Sequence, residues 1–307
     1  MEKNNIIEVL SILESFCFSQ KQKELIDYIK SLNLSDDNEY SYFLVSAIVR
    51  ESVEQIFLVK NYVSEDKNTQ IETFVSSEIA CTYKKITKQN DTNDEDIKKQ
   101  NNFKKWFFLQ LLEIDSLEIF EKIKQSHKEI CRLAHIDFRN AKDPIPLFEN
   151  LKKVLEDFKD VILKDILNIE HYIQDDLYFI DKDQVLENLN DTGSGHYEAG
   201  GICDEDIIND SIKLNSDSIT FDISFTLEAD NWFGGKGDDG MYFPNNQYCQ
   251  QTIVLKPFKE IISGYLEELN DINNLDFGGY IKDYVIDEYR TKDFKLIKSK
   301  FLDETCS

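Results

Sequence analysis

The sequence predicts an α+β protein, an N-terminal all-α helical bundle followed by a small antiparallel β domain with C-terminal helices. Residues 1 to 143 contain neither glycine nor proline, whereas all 11 glycines lie between Gly193 and Gly279 and all four prolines between Pro144 and Pro257. Glycine and proline are the strongest punctuators of regular structure, so the first part reads as helical and the later part as turn-rich. Residues 218–228, SITFDISFTLE, alternate polar and apolar side chains at every position, with Ile219, Phe221, Ile223, Phe225 and Leu227 on one face. That period of two marks a half-buried antiparallel strand.

Helices are expected over about 5–17, 20–32, 40–63, 70–87, 96–113 and 116–134. Within 40–63, Val45, Ile48, Val49, Ile56, Val59 and Val63 recur at helical spacing behind the capping candidates Ser35, Asp36 and Asp37. Thr69 with Glu72 reads as a capping box opening 70–87. The polar string KQNDTNDED at 88–96 reads as an exposed loop. Asp143, with Pro144 or Pro146 in the first turn, then opens a long helix whose stripe runs Leu147, Leu151, Val154, Phe158, Val161. The bundle so defined holds about seven helices and covers residues 1–176.

Residues 177–204 read as an acidic, glycine-containing linker, and 205–307 as an antiparallel sheet with two C-terminal helices. Ile212 and Leu214 face the alternating strand across Asn215-Ser216-Asp217, and Cys249 to Lys256 form a third strand. A lone hairpin is marginal in water, so the sheet needs a cover. Helices at about 258–270 and 279–302 supply the expected one through Ile261, Ile262, Tyr265 and Leu269 and through Tyr280, Tyr284 and Val285.

Composition excludes several classes of function. No apolar run reaches membrane-spanning length and MEKNNIIEVL is not a secretory leader, so the chain reads as soluble and cytoplasmic with no membrane partner. Its six cysteines form no CxxC pair, which argues for reduced thiols over a disulfide framework or a zinc ribbon. Net charge is −24, and residues 165–240 hold 19 acids against Lys182, Lys213 and Lys236. With four arginines in all, direct binding of double-stranded DNA is not expected. A protein partner is expected instead, and homo-oligomerisation stays open.

Four segments carry candidate chemistry. SHKEICRLAHIDFRN at 126–140 holds two of the four histidines and two of the four arginines. Its Ala134-His135-Ile136-Asp137 at a helix end, followed by a short loop, Pro144 and another long helix, resembles the histidine region of HEPN-type helical bundles of prokaryotic toxins and abortive-infection proteins. The resemblance spans residues 40–175. It implies metal-independent RNA cleavage through His135 with Arg132 or Arg139, although the places where active members carry the arginine and a polar residue hold Lys128, Glu129 and Ile130.

On the same helix His127, Cys131 and His135 stand at i, i+4 and i+8. Two of them can share a metal on one face, while the third is rotated away and no ligand from a partner helix is evident, so no metal or cofactor is assigned. Gly234 to Tyr242 matches one copy of the calcium repeat G-G-x-G-x-D-x-U-x. One copy supplies too few carboxylates, so 230–242 reads as an exposed, mobile loop. Its flanking rings Trp232, Phe233, Tyr242 and Phe243 are candidate anchors for a protein partner. Gly193 to Gly201 has the glycines, serine and histidine of a phosphate loop but no basic residue, and reads as linker.

Two functions follow. The first is a non-enzymatic accessory protein of a bacterial anti-phage or toxin system, binding a protein partner through the acidic β domain or the bundle. The alternative is a divergent HEPN-like ribonuclease using His135.

Overall fold

The helices of the first half end on caps and left-handed residues, with no glycine or proline among them. A computed structural model describes residues 5–16, 20–32, 39–135, 145–174, 197–208, 210–233, 241–244, 247–286 and 298–301. The helices are α1 (Asn5–Glu14), α2 (Gln20–Ser31), α3 (Glu39–Gln55), α4 (Glu65–Thr73), α5 (Ser77–Thr87), α6 (Asp94–Lys98), α7 (Asn101–Leu111), α8 (Leu117–Ala134), α9 (Ile145–Asp160) and α10 (Ile169–Gln174). None in the described residues is long and apolar enough to cross a membrane.

Three of the expected helices are subdivided. The 40–63 helix ends at Gln55 and is followed by a 3-10 turn at Val59–Asn61. The 70–87 helix is two: Ser64 caps α4 by accepting from the Lys67 amide, and Ser76 caps α5 by accepting from the Ile79 amide. Thr69 does not cap; it lies inside α4 and its hydroxyl donates to the Glu65 carbonyl. The 96–113 helix is α6 and α7, and Asn93 in the polar string caps α6, so the loop ends before Asp94. Lys88 ends α5 at φ 59° and Glu113 follows α7 at φ 58°, a left-handed conformation usually left to glycine.

On α9 the buried stripe is Phe148, Leu151, Leu155 and Phe158, running on to Ile162. Three of the five expected stripe positions are therefore displaced by one residue, from Leu147, Val154 and Val161 to their C-terminal neighbours. The helix continues as a π-helical turn, Val161–Ile166, whose wider spacing lets Ile162, Leu163 and Ile166 all be buried. Asp143 and Pro144 lie outside the described residues.

The chain divides into two compact units, one comprising Met1–Leu167, Leu214–Asp217 and Pro257–Phe277, the other Asn168–Lys213, Ser218–Lys256 and Gly278–Ser307. In the helical unit α3 packs on α8, and α9 on both α1 and α8. Phe57 meets Phe108 and Phe158 edge-on at 5.8 and 6.1 Å. Helix α11 (Phe258–Glu268) belongs to this unit. Its Tyr265 hydroxyl donates to the Leu111 carbonyl at 2.9 Å, its Ser263 hydroxyl donates to the Tyr62 carbonyl, and Phe258 meets the Tyr62 ring at 6.3 Å. Just beyond, the Phe277 amide donates to Glu113 Oε2 at 2.7 Å.

The sheet unit contains β1 (Tyr197–Ile207), β3 (Ile219–Phe233), β5 (Gln247–Leu255) and β6 (Lys298–Phe301) in that order, with β2 (Lys213–Leu214) and β4 (Met241–Pro244) also paired to β3. All five side chains of the alternating face are buried. The partner expected across Asn215–Asp217 is only the two-residue β2; the long antiparallel neighbours of β3 are β1 and β5, with Phe221 opposite Ile253 and Phe225 opposite Cys249. Tyr197–Asp204, read as the end of a linker, are part of β1, where a bulge between Ala199 and Gly201 accommodates the glycines. Within the expected helix 279–302 the described residues form the end of α12 (Phe277–Tyr280), a π-helical turn at Ile281–Ile286, and strand β6 at its far end; 287–297 lie outside the described residues. Pairing with β6 satisfies the edge of β5, and Lys298 and Lys300 suit an edge strand.

Because α11 closes the core beside Tyr62 and Leu111, a chain ending at residue 176 should unfold at markedly lower denaturant than the helical unit of the full chain. Urea titration followed by circular dichroism checks this; an unchanged midpoint would show that α11 adds nothing to the bundle.

Candidate functional site

Polar side chains from three helices converge inside the helical unit. Helix α3 carries Arg50 and Glu54 one turn apart, α7 carries Lys105, and α8 carries His127 and Cys131, with His135 as its C-cap. The i, i+4 spacing keeps each set on one helix face, and α8 packs against both α3 and α7.

Lys105 lies 3% exposed in the aromatic run of α7. Its Nζ is 3.0 Å from His127 Nδ1. An ammonium only donates, so Nδ1 accepts and the ring carries its proton on Nε2. That nitrogen is 3.4 Å from Glu54 Oε1, and the imidazole side chain is 12% exposed. Burial, then the charges of Lys105 and Arg50, hold His127 down to about 4, so the ring is neutral at physiological pH. Burial also lowers Lys105, against the opposing pull of Glu54.

Cys131 Sγ lies 3.6 Å from His127 Nε2 and 3.8 Å from Nδ1. Near-equal distances place the sulfur along neither ring nitrogen's bonding direction. Burial, then the Glu54 charge, raises the thiol, so Cys131 is a protonated thiol and not an activated nucleophile. Glu54, His127 and Cys131 offer ligand atoms all within 4.8 Å of one another, and are the described residues that could hold a metal. The third member of this group is Glu54 of the neighbouring helix, not His135, which the spacing already turned away from the shared face. The Lys105 ammonium beside the ring opposes a second cation, and Cys131 would have to lose its proton.

His135 is exposed at the end of α8, its amide bonded to the Cys131 carbonyl. Its Nε2 is 3.2 Å from Arg50 Nη1. Since guanidinium only donates, Nε2 accepts and Nδ1 carries the proton of the neutral ring. Arg50 Nε is buried without a hydrogen-bond partner among the described residues.

Of the arginines expected to serve His135, Arg132 is 79% exposed and pairs with Glu129 at 3.6 Å, and Arg139 lies outside the described residues. The cation beside His135 is Arg50. Sequence reasoning passed over Arg50, Glu54 and Lys105, whose only signal was a polar residue breaking an apolar run, in VSAIVRESVEQIF and in NNFKKWFF.

In the sheet unit, Trp232 lies opposite Tyr242, and Asn231 opposite Phe243, in the β3–β4 ladder. The backbones of 230–233 and 241–244 are thus paired strands and not part of a loop; the side chains of Trp232, Phe233, Tyr242 and Phe243, like residues 234–240, lie outside the described parts. Residues 193–196 do as well. No model of a known family, no curated protein and no solved structure matches the chain.

The His127 environment makes stability depend on pH. The unfolded chain takes up the imidazole proton near the ordinary 6.5, the folded chain only near 4. Between these values the unfolded state binds more protons, so stability should fall as pH drops from about 6.5 to about 4, by up to about 3 kcal/mol. Urea midpoints at pH 7, 5.5 and 4.5 for wild type and His127→Asn should converge as pH falls; a constant gap would mean that the ring is not held neutral.

Proposed function

We propose that the helical unit is a cytoplasmic, metal-independent ribonuclease effector, a divergent HEPN-like protein of a bacterial defence or toxin system, in which His135 transfers protons and Arg50 holds phosphate. The supporting observation is the 3.2 Å approach of Arg50 Nη1 to His135 Nε2. It supplies an arginine beside the histidine, from α3 instead of from the helix that ends there.

In this reading a phosphate draws the Arg50 guanidinium away from the ring and frees Nε2. His135 then takes the proton of a ribose 2′-hydroxyl, whose oxygen attacks the adjacent phosphorus. The 5′-oxygen leaves and is protonated by solvent, giving a 2′,3′-cyclic phosphate and a 5′-hydroxyl. Arg50 offsets the charge gathering on the phosphoryl oxygens.

Mixed-sequence RNA incubated with the full chain in EDTA should be cut, and His135→Ala and Arg50→Ala should each slow cleavage by about 100-fold or more while melting normally. Intact RNA with wild type, or full cleavage by His135→Ala, would overturn the assignment.

A non-enzymatic, partner-binding role is the second reading. It is favoured by α2 and the residue that follows it, where Leu25, Tyr28 and Leu32 are 46%, 61% and 43% exposed at i, i+3 and i+7, an apolar stripe left in solvent. Intact RNA in the assay above would favour it.

A further inference from the structure

The helical unit also contains an open cavity of about 590 Å³ that the reading of His135 does not use. The segment after α3, the 3-10 turn, α4, α6 and α7 form its walls. Phe57, Ile71, Phe103 and Phe107 line it and are nearly fully buried, which makes them its floor. Phe103 and Phe107 stack with ring centroids 6.1 Å apart and planes within 5°. Lys60, Lys98, Lys99 and Lys104 line it from more exposed positions and form its rim.

The rim reverses the sign of the chain. Four ammonium groups face two carboxylates, Glu72 and Glu95, in a protein of net charge −24. Glu95 is engaged by Lys98 at 3.1 Å, and Glu72 accepts from the Asn68 amide at 3.0 Å. Lys60 and Lys104 form no ion pair among the described residues. The first turn of α7 supplies Asn101, Phe103 and Lys104 to the wall, and its N-cap Gln100 makes no side-chain capping bond. An uncapped helix start beside two unpaired lysines favours an anion.

The size suits a small organic molecule. An aliphatic acid would place hydrocarbon against Asn101 and against the Asn68–Glu72 pair, taking water from their remaining donors and acceptors, at a cost. A heterocycle with its own donors and acceptors satisfies them and spreads its faces on the phenylalanine floor.

We propose that this cavity binds a nucleoside phosphate, its base on Phe103 and Phe107 and its phosphates at Lys60, Lys104 and the start of α7. An adjoining cavity of about 60 Å³ shares Phe57, Leu58, Asn101 and Lys104 with it and reaches Glu54 and Lys105, so a bound nucleotide would lie next to the polar cluster.

Titration calorimetry of the full chain at low salt tests the assignment with ATP, AMP, adenosine, tripolyphosphate and dodecanoate as probes. ATP should bind one to one, adenosine and tripolyphosphate each at least tenfold more weakly, and the variant Lys60→Gln with Lys104→Gln should lose at least tenfold for ATP at unchanged melting temperature. No heat with 1 mM ATP, tripolyphosphate binding as tightly as ATP, a variant that binds ATP like wild type, or dodecanoate binding more tightly than ATP would each overturn it. RNA cleavage by His135 is read in a separate assay, so either assignment can fail without the other.

Discussion

The buried ammonium of Lys105 is the constraint on which the arrangement of α3, α7 and α8 depends. A charge removed from water is costly unless it is answered in place, and at 3% exposure Lys105 has little solvent to turn to. The answer comes in two steps, first the neutral His127 ring and then Glu54 behind it. This relay requires the three helices to hold one register at positions 105, 127 and 54. The exposed pair inherits that register: Arg50 is one turn before Glu54, His135 is two turns after His127, and the two meet because the buried positions do.

How much of this was legible depended on whether the signal was local. The fold class was, because absence of breakers and strict alternation are properties of consecutive residues. Helix ends were less so: Ser64, Ser76 and Asn93 cap as such residues do, but Lys88 and Glu113 take left-handed conformations that nothing in their chemistry announces. Glu113 has a tertiary reason, since its carboxylate accepts from Phe277 far along the chain. The α8 half of the polar cluster could be read from spacing alone. Glu54 as third member and Arg50 as partner of His135 could not, because helix pairing, and not spacing, chooses between arginines.

Net charge and local charge answer different questions here. The −24 total governs long-range encounter and opposes polyanions at a distance, and within the first Debye length the particular neighbours decide. Along α3, Arg50 and Glu54 stand one turn apart, about 6 Å, and Leu58 follows beyond the helix end, before the 3-10 turn. They lead from the His135 pair, past the Lys105 relay, to the lysine-rimmed cavity. At the cavity rim Lys60 and Lys104 form no ion pair among the described residues, whereas Lys98 and Lys99 are paired with Glu95 and Asp96, as Lys124 is with Glu121 and Lys152 with Glu8.

The chain order adds a further condition. The chain leaves the helical unit at Leu167, returns to it at Leu214–Asp217 and again at Pro257–Phe277, so the two units interleave along the sequence. Contacts that finish the bundle, such as Tyr265 to the Leu111 carbonyl, span 154 residues. The entropy of closing so long a loop rises only slowly with its length, but the closure cannot begin until α11 has been made. Until then Tyr62 and the end of α7 lack their cover. The α3–α7–α8 relay needs only residues up to 135 and can form first, leaving Lys105 already answered when α11 docks at the C-terminal end of α7.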